Sequence, residues 1–534
     1  MISELFFRRW RDGVHLPLVV LVVLLYLLFR TPSPEYFLAD TDGGVQLAAA
    51  QQILTTGEQP WVDFMVPYGP LTYYASAIAQ WLSGGRLIGE ILLILVGYGL
   101  SYVILFLLAR RISSSDIAAW LILLFCLLLM PRYYKYYVVL CPVVVLFALW
   151  RWIDRPRPGR LVFVGLAAGI SFLFRIDLGL FALVAMVTAI LLRTDKPFVY
   201  RAKAFGGAVF LSGITVSPWL IYVALKGDVR EFLSDLWLSV TYSPQGIALP
   251  HPLLSWNDPM LSCLYWIVFM VPTIATGVLV LQWRKIAIAR RALIATTIVL
   301  AFACLVMASH RSDLAHLLQG APIAVASLAI VVGIGPRPKR FLDLGGFLVL
   351  SLGAAIFLAY LGRLPPTDIL RFGTLDVNQV GRSLRCASMD RPTFLNTVER
   401  DSPGLWPLPV IRYVRESTEF SDRVCIWPFR SQLLYFAERP FGGLTTVLLP
   451  GRSDLPRHQR RIIEEFEDRP PAFVLWDEDY ILDRDEKRRP TMTHAAVHSW
   501  VRSRCSNTGG LNRFTVYRCD EYEARSIDAV DGDG

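Results

Sequence analysis

Ionisable residues are sparse in the apolar first two thirds of this sequence, so those that interrupt it are informative. An acidic group, Ala39-Asp40-Thr41-Asp42-Gly43-Gly44, directly follows the first apolar run. A carboxylate held at a membrane surface can take a proton from an acceptor hydroxyl, and partial burial raises its pKa towards the useful range. The bland alternative is an N-cap, in which an Asp before a helix accepts a backbone N–H bond. Next come Gly57, Pro60-Trp61-Val62-Asp63-Phe64 and Tyr68-Gly69-Pro70-Leu71. Here Asp63 and Tyr68 are candidate substrate contacts, against a turn-rich loop with an aromatic anchor. Phe174-Arg175-Ile176-Asp177-Leu178-Gly179 breaks another apolar stretch. The guanidinium fork of Arg175 suits a phosphate; the alternative is a self-satisfied ion pair. His310-Arg311-Ser312-Asp313-Leu314-Ala315-His316 offers positive charge for a phosphate or substrate. Asp313 and His316, three apart, share a face if helical. They could serve as metal ligands, or the whole segment could be a plain loop.

Two further segments stand out. Pro131-Arg132-Tyr133-Tyr134-Lys135-Tyr136-Tyr137 reads as an interfacial aromatic belt or as a substrate-lining wall. Trp476-Asp477-Glu478-Asp479 reads as a solvated acidic loop. There is no Walker loop, dinucleotide fingerprint, HExxH or serine elbow, which argues against ATP-driven transport.

The elements that must position these residues are membrane spans. Apolar residues make up 54% of the 534 and charged residues 18%, well below the roughly 25% charge of ordinary globular chains. Eleven apolar stretches approach or exceed span length, near 14–30, 87–109, 116–131, 136–152, 160–174, 178–193, 204–225, 260–282, 291–308, 314–334 and 341–361. Every second connection is basic, from Arg8, Arg9 and Arg11 through Arg110/Arg111 to Arg337, Lys339 and Arg340. That set carries 20 Lys/Arg and the opposite set 8. The positive-inside rule places the rich set in the cytoplasm, and an odd span number then places the C-terminal region outside. The membrane half carries a net charge of +10 and residues 362–534 carry −1, so the basic excess is topology signal, not nucleic-acid binding. The first run lacks a small-residue cleavage site and reads as a retained anchor.

Residues 31–86 form the first exterior segment, with an interfacial helix expected over Val45–Leu54. From 362 onward the apolar runs shrink to strand length at Val424–Trp427, Ala472–Trp476 and Phe514–Tyr517, alternating with helix-like stretches. This predicts a small exterior α/β domain over 362–519 and a polar tail over 520–534. Four cysteines fall there, and Cys505 with Cys519, flanking a Gly-Gly turn, is the favoured pair over the other pairings with Cys386 and Cys425.

Together these pieces resemble the GT-C membrane glycosyltransferases, in particular the group holding protein mannosyltransferases, the lipid A aminoarabinose transferase and rhizobial galacturonosyltransferases. The resemblance is carried by Asp40-Thr-Asp-Gly-Gly, Ala48-Ala-Ala-Gln-Gln-Ile-Leu, Gly57, Pro60-Trp-Val-Asp-Phe and Tyr68-Gly-Pro-Leu-Thr-Tyr-Tyr. Phe-Arg-x-Asp-x-Gly at 174–179 and Arg-Ser-Asp-x-x-His at 311–316 support it. Counting back from Ile53-Leu54 places Asp42 at the family's catalytic Asp. The family's adjacent Asp-Glu is absent: Gly43 follows Asp42, and the second acid is Asp40. Its Lys/Arg-Pro-Pro-Leu pattern is replaced by Val66-Pro67-Tyr68-Gly69-Pro70.

The expected fold is therefore a polytopic α-helical membrane protein of GT-C type (residues 1–361) with a C-terminal exoplasmic α/β domain. The resemblance implies a polyprenyl-phosphate sugar donor and an envelope lipid, glycan or protein acceptor, in the inner membrane. Asp42 would be the base, with Asp40 in support. Arg175, His310 and Arg311 would face the leaving phosphate, with Asp313, His316, Asp63 and Tyr68 as further substrate contacts. Some relatives use a divalent metal; no cofactor is indicated by the residues. The rival class is a lipid-linked-sugar carrier or an envelope scaffold. A carrier needs ionisable residues spread through its spans, whereas these cluster on the exterior side.

Overall fold

The computed structural model describes residues 2–241, 246–255, 258–334, 377–451 and 453–519. The apolar stretch 341–361 and the polar tail 520–534 lie outside the described residues. The other ten apolar stretches all fall on helices: Ile2–Phe29, Leu87–Ser113, Asp116–Leu128, Tyr136–Asp154, Pro158–Phe174, Ile176–Leu191, Phe198–Lys226, Pro259–Gln282, Ile288–His310, and Leu314–Ala326 continued by Leu328–Ile334. Among the described residues, six helices are long and apolar enough to cross a membrane. Four others, including Pro158–Phe174 and Ile176–Leu191, are apolar but shorter. The chain is a mostly helical, multi-pass membrane protein.

It divides into two compact units. The first draws on Met1–Pro32, Leu92–Trp219 and Ala248–Val380. Glycines let its helices approach closely: a Cβ on Gly165 would lie 2.5 Å from Leu211 Cβ, and one on Gly169 2.6 Å from Thr215 Cβ. This is the small-x-x-x-small pairing of membrane helices, where van der Waals contact replaces the missing hydrophobic drive. Four of the basic connections meet at one end of this unit. Arg111 Nη2 meets Asp154 Oδ1 at 2.9 Å, Arg193 donates to Ile153 O, and Arg290 Nη2 donates to Ile112 O at 2.9 Å.

The second unit draws on Ser33–Ile91, Leu220–Ile247 and Gly381–Gly534. Its sheet has four strands, β1 Val424–Trp427, β2 Phe473–Trp476, β3 Ser506–Leu511 and β4 Phe514–Arg518, in the order β1-β2-β4-β3. β1 and β2 are parallel; the other pairs are antiparallel. β1 and β2 are buried at every position, as parallel strands covered on both faces must be. Their Cys425, Trp427, Val474 and Trp476 pack with Ile462, Phe466, Val497 and Val501 of flanking helices.

Cys505 and Cys519 form a disulfide across the ends of the β3–β4 hairpin. The hairpin does not turn at the Gly-Gly pair. Gly509 and Gly510 lie inside β3, where Gly509 (φ +123°) accompanies a register shift, and the chain reverses at Asn512-Arg513 with Asn512 at φ +53°. Asn tolerates the left-handed region well enough to take the turn. Asp477 also departs from expectation. It is fully buried beside Arg513, and only Asp479 of that acidic run is almost fully exposed. The tyrosines of 133–137 are likewise packed inside the protein, not laid out as an exposed belt.

Candidate active site

In the second unit the helix Pro34–Ala39 stops at Asp40, whose extended backbone (φ −74°, ψ 98°) starts the helix Thr41–Thr56. Gly57, at φ +76°, ends that helix in the left-handed conformation that glycine adopts without strain. Asp40 occupies the N-cap position, yet its side chain makes no capping hydrogen bond. Asp42 sits in the first helical turn. Both are partly exposed, at a helix end whose dipole favours negative charge.

The following loop is held by its own groups. Asp63 Oδ2 accepts the Gln59 N–H at 2.7 Å, so Asp63 closes a local turn. Trp61 stands at φ +69°, an outlier for a bulky residue. Its Nε1–H donates to Tyr68 O at 2.8 Å, and its ring meets Phe232 edge-on at 5.7 Å. Tyr68 N–H donates to Tyr73 Oη at 3.1 Å. Beside Trp61 lies a polar hollow of about 350 Å³, lined by Asp228, Glu231, Phe232, Asp235 and Arg461 among others. Arg461 pairs with Glu231 at 2.7 Å, and His458 Nε2 meets Asp235 at 2.9 Å. The sequence reading did not single out this ion-pair cluster; its only local signal was that the carboxylates of 228–235 lie between apolar stretches.

The first unit assembles the cationic candidates. Arg175 is a single extended residue (φ −164°, ψ 128°) between the helices Pro158–Phe174 and Ile176–Leu191. The chain folds back there: a Cβ on Gly179 would lie 2.5 Å from Phe172 Cβ. Arg175 Nη2 pairs with Asp177 at 2.6 Å, and its Nη1 donates to Gln319 Oε1 at 3.1 Å. His310 is the last residue of its helix. Arg311 Nε donates to Asp313 Oδ2 at 2.8 Å. Asp313 caps the helix Leu314–Ala326, its Oδ1 accepting the His316 N–H at 2.9 Å and standing 2.8 Å from His316 Nδ1. Burial works to raise the pKa of Asp313, but His316, Arg132 and Arg311 outweigh it and hold the carboxyl below the usual carboxylate range. Asp313 thus serves as both a helix cap and an ion-pair partner. Among the described residues no three His, Cys, Asp or Glu gather as a metal-binding group.

Arg132 therefore lies within electrostatic reach of this cluster, and Lys135 is buried over the ring of Tyr134 at 5.0 Å. Tyr137 stacks on Phe174, next to Arg175, at 5.7 Å. The segments around 132–137, 174–177 and 311–319 thus converge within one unit, and they carry more cations than carboxylates. Arg132 and Lys135, from the segment read as an aromatic belt or a substrate-lining wall, extend the candidate cation set.

No protein-family model matches this chain, and no curated protein matches it. Solved structures do. ArnT from Cupriavidus metallidurans bound to undecaprenyl phosphate shares 15% identity over 95% of this chain and 97% of its own, with a TM-score of 0.51. The same protein in the apo state shares 13% over 96% and 98%, also at 0.51. The archaeal oligosaccharyltransferase AglB from Archaeoglobus fulgidus, in complex with an inhibitory peptide and a dolichol-phosphate, shares 12% over 96% and 75%, at 0.47. Over nearly its whole length, the chain shares its fold with this ArnT.

Proposed function

We propose that this chain is a glycosyltransferase that moves a sugar from a polyprenyl-phosphate donor to an envelope lipid, glycan or protein. The observation that carries the reading is the pair Asp40 and Asp42, set at the start of a helix in a chain that shares its fold with an undecaprenyl-phosphate-bound ArnT. In this reading residues 1–361 form the membrane catalytic module and 362–519 an exterior domain. The reaction takes place at the outer face of the inner membrane. Asp42, supported by Asp40, removes the acceptor hydroxyl proton. The freed oxygen attacks the anomeric carbon as the bond to the phosphate oxygen breaks, inverting that centre. Negative charge grows on the departing lipid phosphate. Arg175, Arg311 and His310, with Arg132 and Lys135, supply the opposing positive charge, which is where fixed electrostatics lower a barrier most. Asp63 and Tyr68 shape the adjoining loop.

The test is transfer itself. Purified wild type and Asp42→Ala are offered radiolabelled polyprenyl-phosphate sugars with envelope lipid and glycan extract, and label leaving the prenyl lipid is followed. Transfer that depends on Asp42 is expected. Folded protein that transfers from no donor would defeat the proposal, leaving the carrier or scaffold class.

A further inference from the structure

The acidic helix of the second unit is gripped along its length by residues from 381–519 of the same unit. One helix earlier, Glu35 accepts Arg382 Nη2 at 2.6 Å and Ser402 Oγ at 2.9 Å. Burial would raise its pKa, but the bonds from Arg382 and Ser402 help hold it below the usual carboxylate range. Further along, Gln51 Nε2 donates to Arg439 O at 3.0 Å, and its Oε1 accepts Arg391 Nη1 at 2.6 Å. Gln52 Oε1 accepts the Phe441 N–H at 3.0 Å. Just past the helix, Glu58 pairs with Arg423 and, at 2.9 Å, with Arg469.

One residue holds the acidic turn on both sides. Gln432 lies in the short helix Ser431–Ala437 and is fully buried. Its Nε2 donates to Leu38 O at 3.2 Å, two residues before Asp40. Gly44, two residues after Asp42, rests directly on it: a Cβ there would lie 2.5 Å from Gln432 N, 2.6 Å from its Cβ and 2.8 Å from its Cα. Gly44 is helical, so it meets a need for close approach and not for an unusual φ. Gln432 Oε1 has no hydrogen-bond partner among the described residues. A buried, half-satisfied amide costs stability, and an apolar side chain of the same shape would fill the space at least as well. Packing alone does not account for Gln at this position.

We infer that Gln432 is a positioning residue: by fixing Leu38 O on one side and seating Gly44 on the other, it sets the backbone from which Asp40 and Asp42 project. This rests on the proposed transfer with Asp42 as base. The stretch that follows the spans is then part of the catalytic machinery's frame, beyond any role in acceptor binding.

The test compares full-length Gln432→Met, Gln432→Glu and Asp42→Asn in the transfer assay with thermal unfolding alongside. Since misplacing a catalytic group by about 1 Å can cost 100-fold, Gln432→Met should lower kcat at least about tenfold while either KM moves less than about twofold and Tm changes little. Gln432→Glu should lose as much at neutral pH. Relative to wild type it should recover as pH falls, because the protonated carboxyl regains a donor for Leu38 O. Wild-type kcat in Gln432→Met with Asp42→Asn inactive overturns the inference and spares the proposed function. A kcat loss that only tracks loss of folded protein overturns it as well. If Gln432→Met does not fold, the Gln432→Glu profile decides, and no recovery at low pH overturns it. Full activity in Asp42→Asn overturns the underlying reading instead.

Discussion

At the scale of single residues, the ion pairs change what each candidate is expected to do. Arg311 is bound to Asp313, which also caps a helix and contacts His316. Removing Arg311 therefore both withdraws a cation and leaves Asp313 with one partner fewer. Arg311→Ala should slow turnover about a hundredfold, the scale of losing one contact to developing charge, with a smaller effect on acceptor KM. Arg311→Lys should recover part of the rate, since charge is kept but the fork is lost. An unchanged kcat in Arg311→Ala removes Arg311 from the site. His494 yields a pH prediction. It is fully buried, with Nε2 at 2.8 Å from Ser453 Oγ and Nδ1 at 2.9 Å from Thr493 Oγ1. Burial pushes its pKa down from 6.5 to about 3. The unfolded chain thus binds a proton below 6.5 that the folded chain refuses until about 3. The stabilisation is complete above 6.5 and is lost as pH falls through that window, at up to about 1.4 kcal/mol per pH unit. Unfolding followed from pH 7 to pH 4 should show a shallower acid slope in His494→Gln, and parallel slopes would refute the assignment.

At the scale of elements, short apolar helices hold together by close approach. Gly165 and Gly169 on Pro158–Phe174 leave no room for a Cβ against Leu211 and Thr215, whereas Gly213 has open space around it. Gly169→Leu should destabilise the folded protein by about 1–3 kcal/mol, the usual cost of overpacking a filled contact. Gly213→Ala should be near neutral. Detergent-resistant unfolding measured on both variants separates the cases, and equal stability would show that this crossing does not matter. The β3–β4 hairpin teaches a related lesson. A Gly-Gly pair reads as a turn, but here it became a distorted strand because Asn512 takes the left-handed position and the disulfide joins the residues just outside the paired strands.

At the scale of the whole molecule, charge alternation along the chain predicts which ends of the spans share a side. Arg111, Arg193 and Arg290 do meet partners from other basic connections at one end of the first unit. The proposed orientation places that end in the cytoplasm and the sheet outside. A phosphatase active only outside the cytoplasm, fused after residue 519, should be active. The same fusion within 155–158 should be silent. The reverse pattern would invert the topology and move the proposed chemistry to the other face.

Run length, loop charge and the local acidic motif are properties of neighbouring residues, and the stretches that became helices were legible in them. So were strands β1, β2 and β4, whose apolar runs are short and bounded. The helices Val377–Ala387 and Arg391–Asp401 were missed, although Val377, Val380, Leu384 and Ala387 recur at helical spacing, and β3 was missed because Ser506–Leu511 is polar and glycine-rich. The first candidate segment could be picked out of the sequence, but what holds it could not. Leu38 and Gln432 are 394 positions apart, and nothing local to either announces the other. Asp477 looked solvated beside Glu478 and Asp479, yet the end of β2 carries it into the interior against Arg513. Short-range patterning sets which segments become helix or strand because the backbone's own hydrogen bonds and the 3.6- and 2-residue periods are local. Which buried polar group answers another is decided only when the chain closes on itself, since a distant partner is the sole alternative to leaving that group unsatisfied.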